Sequence, residues 1–266
     1  SCSKETFPQS GTVTAEQIAS SPMAVINGIN AWMGTDVVLW QGYQSMDYGY
    51  PSMATWRETV GCDMPNANAP FDYVSFYFGQ LLYQCGYTHE LVTEYWRFYY
   101  KLVKQANDII RMLSTIENPT ASDNFYLGVG YSYRALAYLD MARMYEYNSP
   151  YVYDNSEEIR GLTVPIIDEN STEAEAKQQP RATVEEIYNL ILSDLAIAEE
   201  KMKGFSGRPD KGTPDYNVVC GLKARTLLEI ATRCRMHSPA RDGEGFADIT
   251  KFGFSSVKDC YTQCVS

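Results

Sequence analysis

Between Asn66 and Phe78 the sequence gathers Asn66, Asn68 and Asp72 with the aromatic residues Phe71, Tyr73, Phe76, Tyr77 and Phe78. These side chains suit recognition of a hydroxyl-rich ligand. Aromatic faces stack on the apolar faces of sugar rings, while carboxamides and carboxylates hydrogen-bond ring hydroxyls edge-on. Tyr73 and Tyr77 are four residues apart, so one helical turn aligns their rings on one face with both hydroxyls at the rim. Phenylalanine has no polar edge, and Phe71, Phe76 and Phe78 are assigned to the core of the following helix. Helical packing does not account for the rest, because Pro65, Asn66, Asn68 and Pro70 interrupt any period. The expected ligand-binding residues are therefore Asn66, Asn68, Asp72, Tyr73 and Tyr77.

Other chemistries find less support. No G-x-S-x-G, P-loop or G-x-G-x-x-G pattern occurs, and Gly128-Val129-Gly130 lacks both a third glycine and a preceding strand. Asp47, Asp63 and Asp72 offer carboxylates to a glycosidase, which needs two facing one cleft, but acidic loop residues are commonly solvated or cap helices. No catalytic residue and no cofactor are assigned. The seven cysteines form no C-x-x-C pair. Cys260 and Cys264 share a helix face, but a metal there needs two further ligands and the only histidines are His89 and His237, so no metal is expected. Cysteines in helices read as small buried hydrophobes. Cys2, followed by a polar stretch to Ser20, fits the start of a bacterial lipoprotein after signal cleavage; it equally fits a terminal cysteine in a tail.

Composition narrows the partners. With 22 basic and 33 acidic side chains the net charge is −11, which argues against nucleic acid and against a basic membrane-surface helix. No stretch approaches the roughly 18 apolar residues of a membrane span. The 21 Tyr, 4 Trp and 10 Phe exceed what a core of this size requires and point to a binding surface.

The elements that must position these residues are helical. Residues 1–13 read as a tether and 14–266 as one helical domain. Helices are expected over Thr14–Met33 and Met53–Val60. Thr88–Leu113 carries apolar residues at steps of three and four on two stripes, as in a helix packed on both sides. Phe125–Tyr147 follows, with Ala135, Ala137 and Ala142 permitting close approach. Residues 148–180 contain Pro150, Gly161, Pro165 and Pro180 and read as an irregular insertion with at most an edge strand. Thr183 with Glu186 forms a capping box ahead of the stripe Val184, Ile187, Ile191, Leu195, Ala198 and Met202, and Gly204 stops that helix. Thr213 as cap with Pro214 at the first position starts another helix, running to Met236. Two helix pairs, 88–147 and 183–236, predict a mainly α fold of tetratricopeptide-like pairs, an α-α superhelix with irregular loop insertions.

These motifs carry a family resemblance. Asp47-Tyr48-Gly49-Tyr50-Pro51, then Arg57 and Gly61-Cys62-Asp63, resembles the D-F-G-Y-P, R-D and G-x-D opening of the SusD/RagB family of outer-membrane nutrient-binding lipoproteins. Trp96, Tyr100, Ala106-Asn107 and Ile110 are similar to its W, Y, A-N, I helix, and Arg134-Ala135 with Tyr138 and Tyr145 to the next. Val164-Pro165, then Pro180-Arg181 through Val184, Tyr188, Ile191 and Asp194-Leu195, and finally Gly221-Leu222-Lys223-Ala224-Arg225 extend the resemblance across residues 45–230. Glu58 stands where the family has Asp. Members of that family are generally longer, so the resemblance covers their N-terminal helical portion.

The resemblance implies a non-catalytic glycan-capture lipoprotein, anchored by lipid on Cys2 to the outer face of the outer membrane and passing oligosaccharide to a SusC-like TonB-dependent transporter. It also implies that the loop after the G-x-D motif supplies stacking residues. Two other classes remain open from the residues alone: a tetratricopeptide-like scaffold for a protein or peptide, and a glycosidase.

Overall fold

The structure, a computed structural model, describes residues 22–34, 49–60, 90–146, 157–236 and 248–264. The expected ligand residues Asn66, Asn68, Asp72, Tyr73 and Tyr77 and the expected lipidation residue Cys2 lie outside these ranges. The chain divides into two compact units, Asn27–Leu102 and Val103–Ser266 with the residues up to Ile26.

In the smaller unit the elements are most of helix α1 (Pro22–Gly34), helix α2 (Tyr50–Val60) and the first half of helix α3 (Glu90–Ser114). Trp32 of α1 stacks on Phe98 of α3 with centroids 5.6 Å apart, and its indole N–H donates to the Phe98 carbonyl at 3.2 Å. Lys101 places its ammonium 3.5 Å from the centre of the Trp32 ring, a cation–π contact that covers an amphipathic side chain. The Tyr95 hydroxyl donates to the Met53 carbonyl at 2.9 Å and ties α3 to α2.

The larger unit is a run of antiparallel helices. The second half of α3 is followed by α4 (Ala121–Tyr145), then by a two-stranded ribbon, α6 (Val184–Met202), α7 (Tyr216–Met236), a 3-10 turn (Ile249–Phe252) and α8 (Val257–Cys264). A one-turn helix, α5 (Glu173–Ala176), interrupts the ribbon. Successive pairings run in opposite directions. Gly130 meets Ile109 and Ile110 while Arg134 reaches back to Asn107, and on the other side Gly128 meets Ala198 and Met202 while Arg134 meets Asp194. The mainly α architecture of tetratricopeptide-like pairs is thus found.

The sandwiched helix is α4, buried from Phe125 to Ala142 on nearly every side. Two glycines make this possible. A Cβ on Gly128 would lie 2.6 Å from Met202 Cγ, and one on Gly130 would lie 3.0 Å from Ile109 Cγ2, so each glycine admits a different neighbouring helix. The Gly128-Val129-Gly130 pattern is a packing device.

Several starts and stops follow from local chemistry. Thr183 accepts from the Glu186 N–H at 3.2 Å and the Glu186 carboxylate accepts from the Thr183 N–H at 2.8 Å, the expected capping box of α6. All six stripe residues are buried. Helix α4 begins four residues before its expected start because Thr120 and Asp123 form a capping box of their own. For α7 the expected cap is corrected. Thr213 turns its hydroxyl to Asp210 at 3.1 Å, and the helix starts at Tyr216 with the Asp215 carboxylate accepting the Val218 N–H at 3.0 Å. A carboxylate two residues on outcompetes the threonine because a charged acceptor also complements the dipole.

The 148–180 insertion contains strand β1 (Leu162–Pro165), which pairs antiparallel with β2 (Arg181–Thr183) just beyond it. Pro165 ends its strand, as its missing N–H requires. The segment after β1 is pinned to the helices. Ile167 exchanges two hydrogen bonds with the Tyr138 hydroxyl and accepts one from Asn107, and Arg111 donates to the Glu169 carbonyl at 2.7 Å.

Candidate functional site

Three of the family-like motif residues converge on one buried node. Arg134 on α4 makes a two-pronged pair with Asp194 on α6, at 2.8 and 2.7 Å, and its remaining Nη1 donates to Asn107 at 2.9 Å and Glu169 at 2.6 Å. The Arg134 and Asp194 side chains are 4% and 2% exposed. Burial opposes the guanidinium charge, but the hydrogen bonds and charges of Asp194 and Glu169 outweigh it and hold the Arg134 pKa above its ordinary value. Every arm of the fork has a partner and no ligand can reach it. The node fixes the register of α3, α4, α6 and the insertion.

A second ionic cluster joins α4, α6 and α7. Glu229 accepts from Arg143 Nε at 2.6 Å and from the Tyr188 hydroxyl, while Arg233 pairs with Glu146 and stands 3.6 Å from Glu229. Burial alone would raise the Glu229 pKa; donation from Arg143 and Tyr188 and the charges of Arg143 and Arg233 outweigh it and lower it. A depressed glutamate stabilises the fold above the unfolded value of about 4.3, and that contribution is lost as pH falls through the folded value. Glu229→Gln should be clearly less stable than the parent near neutrality, with the gap closing below about pH 4. Urea unfolding across pH is the measurement; a gap independent of pH would show that the carboxylate contributes nothing by its charge.

The tyrosines answer part of the aromatic surplus. Tyr95, Tyr99, Tyr133, Tyr138 and Tyr188 are buried, and four of their hydroxyls bond Met53, Gly212, Ile167 and Glu229. They act as long-range pins in the core, so the composition overstated the aromatic surface left for ligands. On α3 the pair Trp96 and Tyr100 has centroids 4.7 Å apart at a 42° tilt; Trp96 is 39% exposed while Phe98 and Tyr99 beside it are buried.

None of the described thiols, Cys220, Cys234, Cys260 and Cys264, is in a disulfide. Cys260 and Cys264 donate to the Leu227 and Ala224 carbonyls at 3.3 and 3.0 Å, so their shared face docks α8 on α7. Burial pushes the Cys234 and Cys260 thiols up to about 11, which keeps them protonated and unreactive. Among the described residues no group of three or more His, Cys, Asp or Glu side chains could hold a metal, and no helix is long and apolar enough to cross a membrane.

The geometry is that of a helical-pair scaffold held by buried polar nodes, and comparison gives it a family. Residues 38–203 match the SusD-like family described as starch-binding and associating with the outer membrane, and the chain belongs to that family. Its fold is similar to that of a SusD-like carbohydrate binding protein from Bacteroides vulgatus ATCC 8482, at 24% identity and a TM-score of 0.62 over 79% of this chain and 41% of that one. A SusD superfamily protein from Bacteroides thetaiotaomicron VPI-5482 has a TM-score of 0.51 at 18% identity, over 85% of this chain and 48% of that one. A SusD-like carbohydrate binding protein from Bacteroides fragilis NCTC 9343 has a TM-score of 0.50 at 16% identity, over 79% of this chain and 37% of that one. The chain spans less than half the length of each of these structures. No curated protein matches the sequence significantly.

Proposed function

We propose that the protein captures an oligosaccharide or polysaccharide at the cell surface and delivers it, without turnover, to a SusC-like TonB-dependent outer-membrane transporter. The observation that carries this reading is the match of residues 38–203 to a family described as starch-binding and associating with the outer membrane. In this reading residues 1–13 are a tether, residues 14–266 form the helical domain, and lipid on Cys2 anchors it to the outer membrane. Stable anchoring takes more than one acyl chain, and a lipidated N-terminal cysteine that also carries an amino-terminal acyl group meets that requirement. Replacing Cys2 by Ser in the full precursor is expected to move the protein from the membrane fraction to the soluble one. Retention of Cys2→Ser in membranes that lack the transporter would overturn the anchor.

Tyr73 and Tyr77 are the stacking platform of this reading, and Asn66, Asn68 and Asp72 select ligand orientation. Tyr73→Ala is expected to weaken glycan binding by about 1 to 3 kcal/mol, the range borrowed from stacking of nucleobases on aromatic side chains, with unfolding nearly unchanged. The test is a glycan panel with retention and product release measured together, followed by calorimetric titration of the retained glycan. Reducing ends accumulating over time would make the protein a glycosidase. Unaltered affinity in both Tyr73→Ala and Tyr77→Ala would move the site elsewhere.

A further inference from the structure

The first turn of α4 and the C-terminal end of α6 line a solvent-open pocket of about 340 Å³. That lies at the lower end of the roughly 300–1,000 Å³ of small-ligand sites, which suits one or two sugar units. Its walls bring together an aromatic ring, a carboxamide and three charged groups: Phe205, Asn124, Glu200, Lys201 and Lys203. The sequence sets this up at the end of α6. Gly204 takes φ +77°, a left-handed turn that lets the Phe205 N–H return to the Met202 carbonyl at 3.1 Å. Phe205 then stacks on Phe125 of α4, centroids 4.4 Å apart at 22°, while still lining the cavity. The ring is fixed before any ligand arrives.

The polar groups around it are uncommitted. The Asn124 carboxamide makes no hydrogen bond and the Lys203 ammonium no ion pair with other described residues, and Lys201 meets Glu200 only at 3.7 Å. Two ammonium groups against one carboxylate leave a local charge of +1 in a chain of net charge −11. A neutral hexose uses the ring and the amide but leaves Lys203 idle. A long polyanion is repelled by the chain as a whole. The ligand that satisfies both constraints is a single sugar acid on an otherwise neutral glycan.

We propose that this cavity is a binding site for a hexuronic acid unit. Phe205 underlies its apolar edge, Asn124 meets its hydroxyls and Lys203 takes its carboxylate. The inference rests on the glycan-capture reading and adds a site and a ligand class to it.

The test titrates the full isotope-labelled chain with xylotriose carrying one glucuronic acid, with plain xylotriose and with inorganic sulfate, following the Asn124 side-chain amide by NMR. The decorated sugar is expected to shift that amide with at least about tenfold higher affinity than plain xylotriose, and sulfate to leave it unmoved. Lys203→Glu is expected to weaken the decorated sugar about tenfold or more, since a hydrogen bond to a charged group is at stake. Lys203 is exposed, so the variant folds, and Asn124→Ala provides a second reading of the same site. An amide unmoved by the decorated sugar, or an affinity for it in both variants equal to the parent's by calorimetric titration, overturns the proposal. An equal response to sulfate also overturns it, because the cavity then takes any small anion. The parallel glycan panel separates the two levels: a chain that retains neutral glycans but ignores the uronate loses this site alone, whereas a chain that retains no glycan loses both readings.

Discussion

Arg134→Ala is expected to destabilise the protein by about 3 to 5 kcal/mol, because it leaves Asp194 charged, buried and unpaired. Asn107 and Glu169 lose the same donor, so the damage spreads to α3 and to the insertion that Glu169 anchors. Against a typical total of roughly 5 to 15 kcal/mol, this is enough to unfold much of the population. The cost of desolvating both charges also predicts the rescue. Replacing Arg134 by Met together with Asp194 by Leu removes both charges and keeps the volume apolar, and the pair is expected to recover most of the loss. Denaturant unfolding of the parent, the single variant and the double variant decides it. A double variant no more stable than Arg134→Ala would mean that the node holds the fold by the particular geometry of its hydrogen bonds.

The convergence of that node could not be read along the chain. Asn107 and Asp194 are 27 and 60 positions from Arg134, and nothing local to any of them records the others. What could be read was local. The stripe of α6 repeats at helical spacing and its capping box uses the usual Thr and Glu, so its start, its buried face and its stop at Gly204 were all legible. The start of α4 was harder, since Asp123 stands in the place of the usual Glu or Gln of a capping box. Thr213 misled because a hydroxyl ahead of a proline resembles a cap, whereas the carboxylate of Asp210, only three residues earlier, takes both the hydroxyl and the N–H of Thr213 in a local turn.

Function was legible to a different depth. The tyrosine count suggested surface, yet the hydroxyls of Tyr133 and Tyr138 end on carbonyls 79 and 29 residues away, which only a folded chain reveals. Conversely, Phe205 reads as one residue behind a helix stop. Its pairing with Phe125 across 80 positions makes it the floor of a cavity. Residue types between Asn66 and Phe78 suit a hydroxyl-rich ligand; the proposed assignment of a glycan to them rests on side-chain chemistry and is tested by the Tyr73 and Tyr77 variants.

Leu195→Ala is the second large effect, expected at about 2 to 5 kcal/mol. Leu195 is wholly buried at the centre of α6, on the stripe whose later members Ala198 and Met202 meet Gly128 of α4. Truncation there removes apolar surface and leaves a cavity that α4, confined on both sides by the close approaches at Gly128 and Gly130, has little freedom to fill. Thr183→Ala in the same helix removes a cap at its exposed end and is expected to cost on the order of 1 kcal/mol, because water can satisfy part of what the hydroxyl did. The ordering is the test, read as the shift in urea midpoint at unchanged slope. Small and equal losses at both sites would mean that α6 contributes as an isolated helix. A loss at Leu195 several times that at Thr183 identifies the α4–α6 interface as the contact that holds the scaffold together.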